Sequence, residues 1–181
     1  MHKIYPKYFT FIDDFKKENI EKLNKNIILI FRNYKLDKKK CITLLIKLKN
    51  YCKKKNRKVF LSNNIKLAKQ LNLDGAYIPS FNKILFDHNL GAKKNFLIIG
   101  SAHSVSEIII KQKQKAEIIF LSSIFKNSKN KKYLGICRFN NISNTSNKKI
   151  IALGGINMNN IKQLRMTKSY GFASISFLQK I

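Results

Sequence analysis

Carboxylates are scarce in this chain: nine Asp and Glu stand against 37 Lys and Arg, a formal charge of +28 over 181 residues. Arginine is scarce too, since only Arg32, Arg57, Arg138 and Arg165 interrupt the lysines. Basic and aromatic residues do not interleave as they would on a platform for stacking bases. The abundance of Lys, Asn and Ile fits AT-rich codon usage, so the charge alone does not make a nucleic-acid binder. Three cysteines (Cys41, Cys52, Cys137) are few, odd in number and not spaced as metal ligands, and are expected to be reduced thiols. The histidines His2, His88 and His103 are scattered, which argues against a zinc site. No apolar run approaches the ~20 residues of a membrane span, and the first residues have no signal-peptide core, so a cytoplasmic protein is expected.

What is present is a series of short apolar runs, and one is joined to an informative turn. Ile150, Ile151, Ala152 and Leu153 read as a buried strand; Gly154 and Gly155 follow, and then the Asn-rich segment Asn157–Asn160. Two residues without Cβ at a strand end let backbone N–H groups approach a ligand closely. A helix beginning near Asn157 would aim the positive end of its dipole at the same place, an arrangement suited to phosphate. A tight turn with nothing bound is the alternative.

Further strands are expected at Tyr8–Ile12, Ile27–Phe31, Lys58–Leu61, Gly75–Ile78, Phe96–Ile99, Ile118–Leu121 and Gly171–Ile175. Between them, Cys41, Leu44, Leu45, Leu48 and Cys52 recur at helical spacing. Asp13 and Asp14 are expected to cap a first helix and Asn63 a third. Ser104 with Glu107 forms a capping box, and a seventh helix is expected over Asn157–Met166. A weak helix is expected around Asn82–Leu90, a loop over Lys126–Lys132 and a less regular segment over Leu134–Asn147. Eight buried strands alternating with helices predict a parallel sheet, closed as a compact (β/α)8 TIM barrel with a truncated last helix, in one domain spanning residues 1–181. An open doubly wound sheet is the alternative, though the glycine-rich turn after its first strand is missing.

In such a barrel, ligand groups sit where strands end, with phosphate near strands seven and eight. Arg32, Ser62, Asn63, Gly100, Ser101, Ser122, Ser123, Gly154, Gly155 and Ser176 occupy such positions, and His103 follows the fifth strand. Asp74 and Glu117 precede strands, on the opposite face, and are expected to be structural.

Five segments in order resemble the thiamine-phosphate synthase family, which includes the thiazole tautomerase relatives. They are Tyr8–Asp13; Ile28–Arg32; Val59–Ala68 with Asp74–Ile78; Ile98–Ser104; and Ile151–Ile156 with Gly171–Ser176. The resemblance implies coupling of a pyrimidine diphosphate to a thiazole phosphate, giving thiamine phosphate and pyrophosphate, with Mg²⁺ as cofactor. It implies catalytic roles for Arg32 and Ser101 and phosphate binding by Gly154, Gly155 and Ser176. Ser62, Asn63, Asn82 and His103 become further pocket candidates. Partners would be phosphorylated small molecules, with no membrane, and homo-oligomerisation is left open.

The departures from that pattern fall in the metal-binding machinery. The family's two metal-binding aspartates fall on Asn63 and Asn82, its lysine after the arginine on Tyr34, and its Gly-Pro on Ser122–Ser123. Neutral amides are poor substitutes for carboxylates at Mg²⁺, so no metal ligand is assigned with assurance. A non-catalytic paralogue that binds phosphorylated ligands is therefore a second reading, and a basic nucleic-acid-associated protein a third.

Overall fold

The computed structural model describes residue 5 and residues 7–85, 95–127 and 132–174. Eight strands run β1 Tyr8–Ile12, β2 Ile27–Phe31, β3 Val59–Ser62, β4 Gly75–Ile78, β5 Leu97–Ala102, β6 Ile118–Ser122, β7 Lys149–Leu153 and β8 Gly171–Ser174. Each pairs in parallel with the next, and β8 pairs with β1 through Phe172 opposite Tyr8, closing the barrel. Among the described residues, five α-helices lie between them: α1 Lys17–Glu21, α2 Lys38–Lys54, α3 Ile65–Gln70, α4 Val105–Lys113 and α5 Gly135–Ser143.

The apolar runs read as they do because the strands are buried on both faces. On β2, Ile28 and Ile30 point into the barrel while Ile27, Leu29 and Phe31 face the helices, and all five are buried. The interior is filled largely by aromatic rings. Phe9 and Phe120 meet edge to face with centroids 4.9 Å apart, Phe11 meets Tyr77 at 5.2 Å, and Tyr77 meets Phe120 at 5.6 Å. Large rings let short strands of four to six residues fill the barrel.

The helix ends need several corrections. Asn63 caps nothing; its neighbour Asn64 caps α3, its Oδ1 accepting from Leu67 N at 2.9 Å, while Asn63 has φ +60°. Asp13 and Asp14 do not cap α1, which starts at Lys17 behind an uncapped Lys16; Asp14 instead accepts from Phe15 N in a local turn. The segment after Asn157 is a turn followed by a short 3-10 helix, Ile161–Met166, so no α-helix dipole starts at Asn157. Asn157 and Asn160 are spent on turn hydrogen bonds, to each other and to Gly155 O. The segment Leu134–Asn147 contains α5, opened by Gly135 at φ +68°. Residues 82–85 form no helix, and the rest of that expected element, the last helix, Ile175 and Ser176 lie outside the described residues. Ser104 caps α4 as expected, accepting from Glu107 N at 3.3 Å. Its Glu107 carboxylate, however, returns to the N–H of His103 (2.7 Å), one residue earlier than a capping box requires.

Candidate active site

The C-terminal ends of the strands surround a cavity of about 670 Å³ lined by Asp13, Arg32, Asn33, Tyr34, Lys35, Tyr77, Pro79, Ser80, Phe81, Ser101, His103, Ser122 and Leu153. Three of the site residues implied by the resemblance, Arg32, Ser101 and His103, share it. Ser62, Asn63, Asn82, Gly154 and Gly155 lie outside its lining, and Ser176 lies outside the described residues.

Arg32 enters from β2, its N–H donating to Ile12 O at 2.7 Å. Its guanidinium carbon sits 4.6 Å from the centroid of the Phe11 ring, which holds the planar cation against the barrel's top aromatic layer. Its neighbours shape the same rim. Asn33 donates to Asp13 O at 2.9 Å and accepts from Lys35 N at 3.0 Å, so a small Asn turn carries Lys35 to the mouth.

Tyr77, on β4, forms the floor with Ser101, to which it is hydrogen-bonded. Burial pushes the Tyr77 hydroxyl up to about 12, against the downward pull of Ser101 and Arg32, so it stays protonated in neutral solution. His103 is held by Glu107, whose Oε2 lies 3.0 Å from Nδ1 and also accepts the backbone N–H. The side of the mouth is aromatic: Tyr34 and Phe81 approach edge to face, centroids 6.3 Å apart, and the Tyr34 hydroxyl lies 2.8 Å from Ser62 Oγ. Ser62 is thereby buried behind Tyr34, outside the cavity lining.

Gly154 and Gly155 follow Leu153 at this rim but do not line the cavity. Their positive φ values, +95° and +74°, require glycine, and so does packing. A Cβ on Gly154 would overlap the Ser123 side chain, and one on Gly155 the carbonyls of Phe125 and Lys126. Phe125 N donates to Gly154 O, locking the loops after β6 and β7 together. Among the described residues no backbone acceptor takes the N–H of Gly154, Gly155 or Ile156. Those groups are a candidate anion nest without the helix dipole expected from the sequence. Asp74 and Glu117 are structural, Asp74 accepting from Val59 N and Glu117 from the Tyr5 hydroxyl at the far end of the barrel.

Asn63 and Asn82 meet, but as partners for each other: Asn82 Nδ2 donates to Asn63 Oδ1 at 2.7 Å, and Asn82 Oδ1 accepts from Ile84 N at 3.0 Å. Both amide oxygens are thus engaged, both are neutral, and a lysine ammonium lies 2.6 Å from the Asn82 backbone carbonyl. The nearby carboxylates do not help, since Glu107 is committed to His103 and Asp13 stands on another strand end. This donor set does not fit Mg²⁺, which takes oxygen ligands with carboxylates among them in a strict octahedron.

Sequence reading missed Tyr77, Phe81 and Lys35. Tyr77 carries one signal, the inward parity of β4, whereas Phe81 and Lys35 come from loops whose course the local sequence does not determine.

A family-wide sequence profile described as thiamine monophosphate synthase matches residues 16–178. A protein of Methanococcus vannielii named thiamine-phosphate synthase is 29% identical over 123 residues, covering 65% of this chain and 57% of its own length. The chain therefore spans little more than half of that relative. Among solved structures, a thiamine phosphate pyrophosphorylase from Pyrococcus furiosus superposes with a TM-score of 0.72 at 17% identity, over 97% of this chain and 91% of that one. FabK from Thermotoga maritima reaches the same TM-score at 11% identity, over 96% of this chain and 59% of its own, so the structural likeness speaks for the fold alone.

Proposed function

The chain belongs to the thiamine monophosphate synthase family, a family of thiamine biosynthesis, and from that premise we propose that its rim cavity binds a pyrimidine diphosphate and a thiazole phosphate and couples them slowly. The observation that carries this reading is Arg32, fixed over Phe11 at the mouth with Lys35 beside it. A planar guanidinium held in place is a bidentate partner for a diphosphate.

In the coupling, the thiazole ring nitrogen bonds to the pyrimidine's methylene carbon while the bond from that carbon to the diphosphate oxygen breaks. Pyrophosphate leaves with the electron pair. Arg32 and Lys35 would meet the charge that builds on the leaving oxygens, preorganised before the reaction begins. Ser101 and protonated Tyr77 would supply hydrogen bonds from the floor, and the N–H groups of Gly154–Ile156 would take the thiazole's phosphate. Mg²⁺, general to the family, has no place in this sequence of events because the donors at Asn63 and Asn82 do not fit it.

The engaged amide pair favours a second reading as well, a paralogue that binds these ligands without turning them over. One assay separates the two: formation of thiamine phosphate from both precursors, in EDTA and in Mg²⁺. Slow turnover that EDTA leaves intact supports the coupling reading. Binding of both precursors without product supports the paralogue, and strong Mg²⁺-dependent turnover overturns the assignment of the site.

A further inference from the structure

A lysine is buried completely in the barrel wall. Lys111, on α4, has no exposed surface, and its stem crosses the outer face of β5 where Gly100 makes room: a Cβ there would lie 2.7 Å from Lys111 Cδ. The ammonium emerges beneath the loop that follows β4. Its three N–H groups are matched by three acceptors, Pro79 O at 2.8 Å, Asn82 O at 2.6 Å and Gln114 Oε1 at 2.9 Å. Gln114 is itself fully buried and donates to Asn82 O and Ile84 O.

The two backbone carbonyls are not short of partners. Pro79 O already accepts from Asn82 N at 3.1 Å, and Asn82 O from Gln114. The buried charge is therefore not needed to satisfy those two, and an apolar side chain of similar volume would leave only Gln114 Oε1 without its donor, a local cost. What the ammonium adds is position. The loop it grips carries Phe81 against Tyr34, which forms the aromatic side of the mouth, and Asn82 against Asn63.

We propose that Lys111 is the positioning residue of the cavity's β4-side wall: from inside the barrel wall, it clamps residues 79–84 so that Phe81 stays against Tyr34 and the cavity in which Arg32 and Lys35 take the diphosphate keeps its shape. The proposal deepens the diphosphate-binding reading given above and rests on it for the ligand, but not for the clamp.

The test compares the unaltered protein with Lys111→Met and Lys111→Ala. Amide hydrogen exchange is followed at Asn82 and Ile84 and in β5 and β6, and binding of inorganic pyrophosphate is measured by calorimetry in EDTA. In Lys111→Met, exchange at Asn82 and Ile84 should quicken at least tenfold while the strands stay protected. Pyrophosphate affinity should fall about tenfold, the scale of one charge-assisted hydrogen bond. In Lys111→Ala, propylammonium should restore both properties and propanol neither. Unchanged loop exchange in Lys111→Met overturns the proposal. So does loss of protection throughout the barrel, or failure to fold, since Lys111 is then a core residue only. If the unaltered protein binds no pyrophosphate, the diphosphate reading falls, and the exchange measurement still decides whether Lys111 clamps the loop.

Discussion

The Tyr34 hydroxyl lies 2.8 Å from Ser62 Oγ, across the gap between the ends of β2 and β3. The resemblance puts a lysine at position 34, and here a neutral ring tethered by its hydroxyl stands in its stead. Tyr34→Phe should change stability by less than about 1 kcal/mol, because Tyr34 is 56% exposed and loses a single neutral hydrogen bond. Tyr34→Lys should strengthen pyrophosphate binding by adding a cation two residues from Arg32. Calorimetry at low and high salt checks this, since the gain should shrink as salt rises.

Anion binding, as proposed, should depend most on Arg32. Arg32→Ala should weaken pyrophosphate binding by about 1.5–3 kcal/mol, the range of a hydrogen bond to a charged group. Arg32→Lys should recover only part of it, because a point charge neither stacks on Phe11 at 4.6 Å nor offers a planar fork. Equal affinities for the two variants would show that Arg32 acts by charge alone.

Restoring carboxylates should create a metal site. With Asn63→Asp and Asn82→Asp together, the present amide hydrogen bond is lost and two like charges face each other, an arrangement relieved by a divalent cation. Mn²⁺ binding, read from the loss of its free electron-spin signal, should appear in the double variant and be far weaker in the unaltered chain. Thiamine phosphate formation should become Mg²⁺-dependent in parallel, each ~1.4 kcal/mol of transition-state stabilisation bringing tenfold in rate.

Lys111 sets opposite pH trends for stability and binding. Burial lowers its pKa from 10.5 to about 8, while Glu107 one turn back pulls it upward. Between about pH 8 and 10.5 the unfolded chain holds a proton that the folded one has released, so this group's contribution to stability rises with pH across that window. Denaturant midpoints of the unaltered chain should therefore gain on those of Lys111→Met as pH rises from 7.5 to 10. Pyrophosphate affinity of the unaltered chain should fall over the same range as the clamp loses its charge.

Gly155→Ala tests the joint between the loops after β6 and β7. The new Cβ would overlap the carbonyls of Phe125 and Lys126, and φ +74° is unfavourable for alanine by about 1–2 kcal/mol. The melting temperature should drop, and phosphate binding should weaken with it. Gly135→Ala is the control: it has a similar φ of +68° but nothing near its Cβ, so it should show the backbone cost alone.

The barrel was legible in the sequence because strands covered on both faces read as short, mostly apolar runs, and eight such runs occur between helical patterns. Arg32, Ser101 and His103 were legible for a related reason: once the strands are located, their C-terminal ends are located too. Ser104 as a cap was legible because capping is local. Local rules also failed by small steps, choosing Asn63 over the adjacent Asn64 and giving Asn157–Met166 an α-helix where Asn side chains turn the chain instead. The rest was decided in three dimensions. Closure brings Phe81 to Tyr34 and Asn82 to Asn63 across separate strand ends, and Lys111 passes over Gly100 into the wall. The sequence determines which residues leave water; only the folded barrel determines which polar groups they meet there.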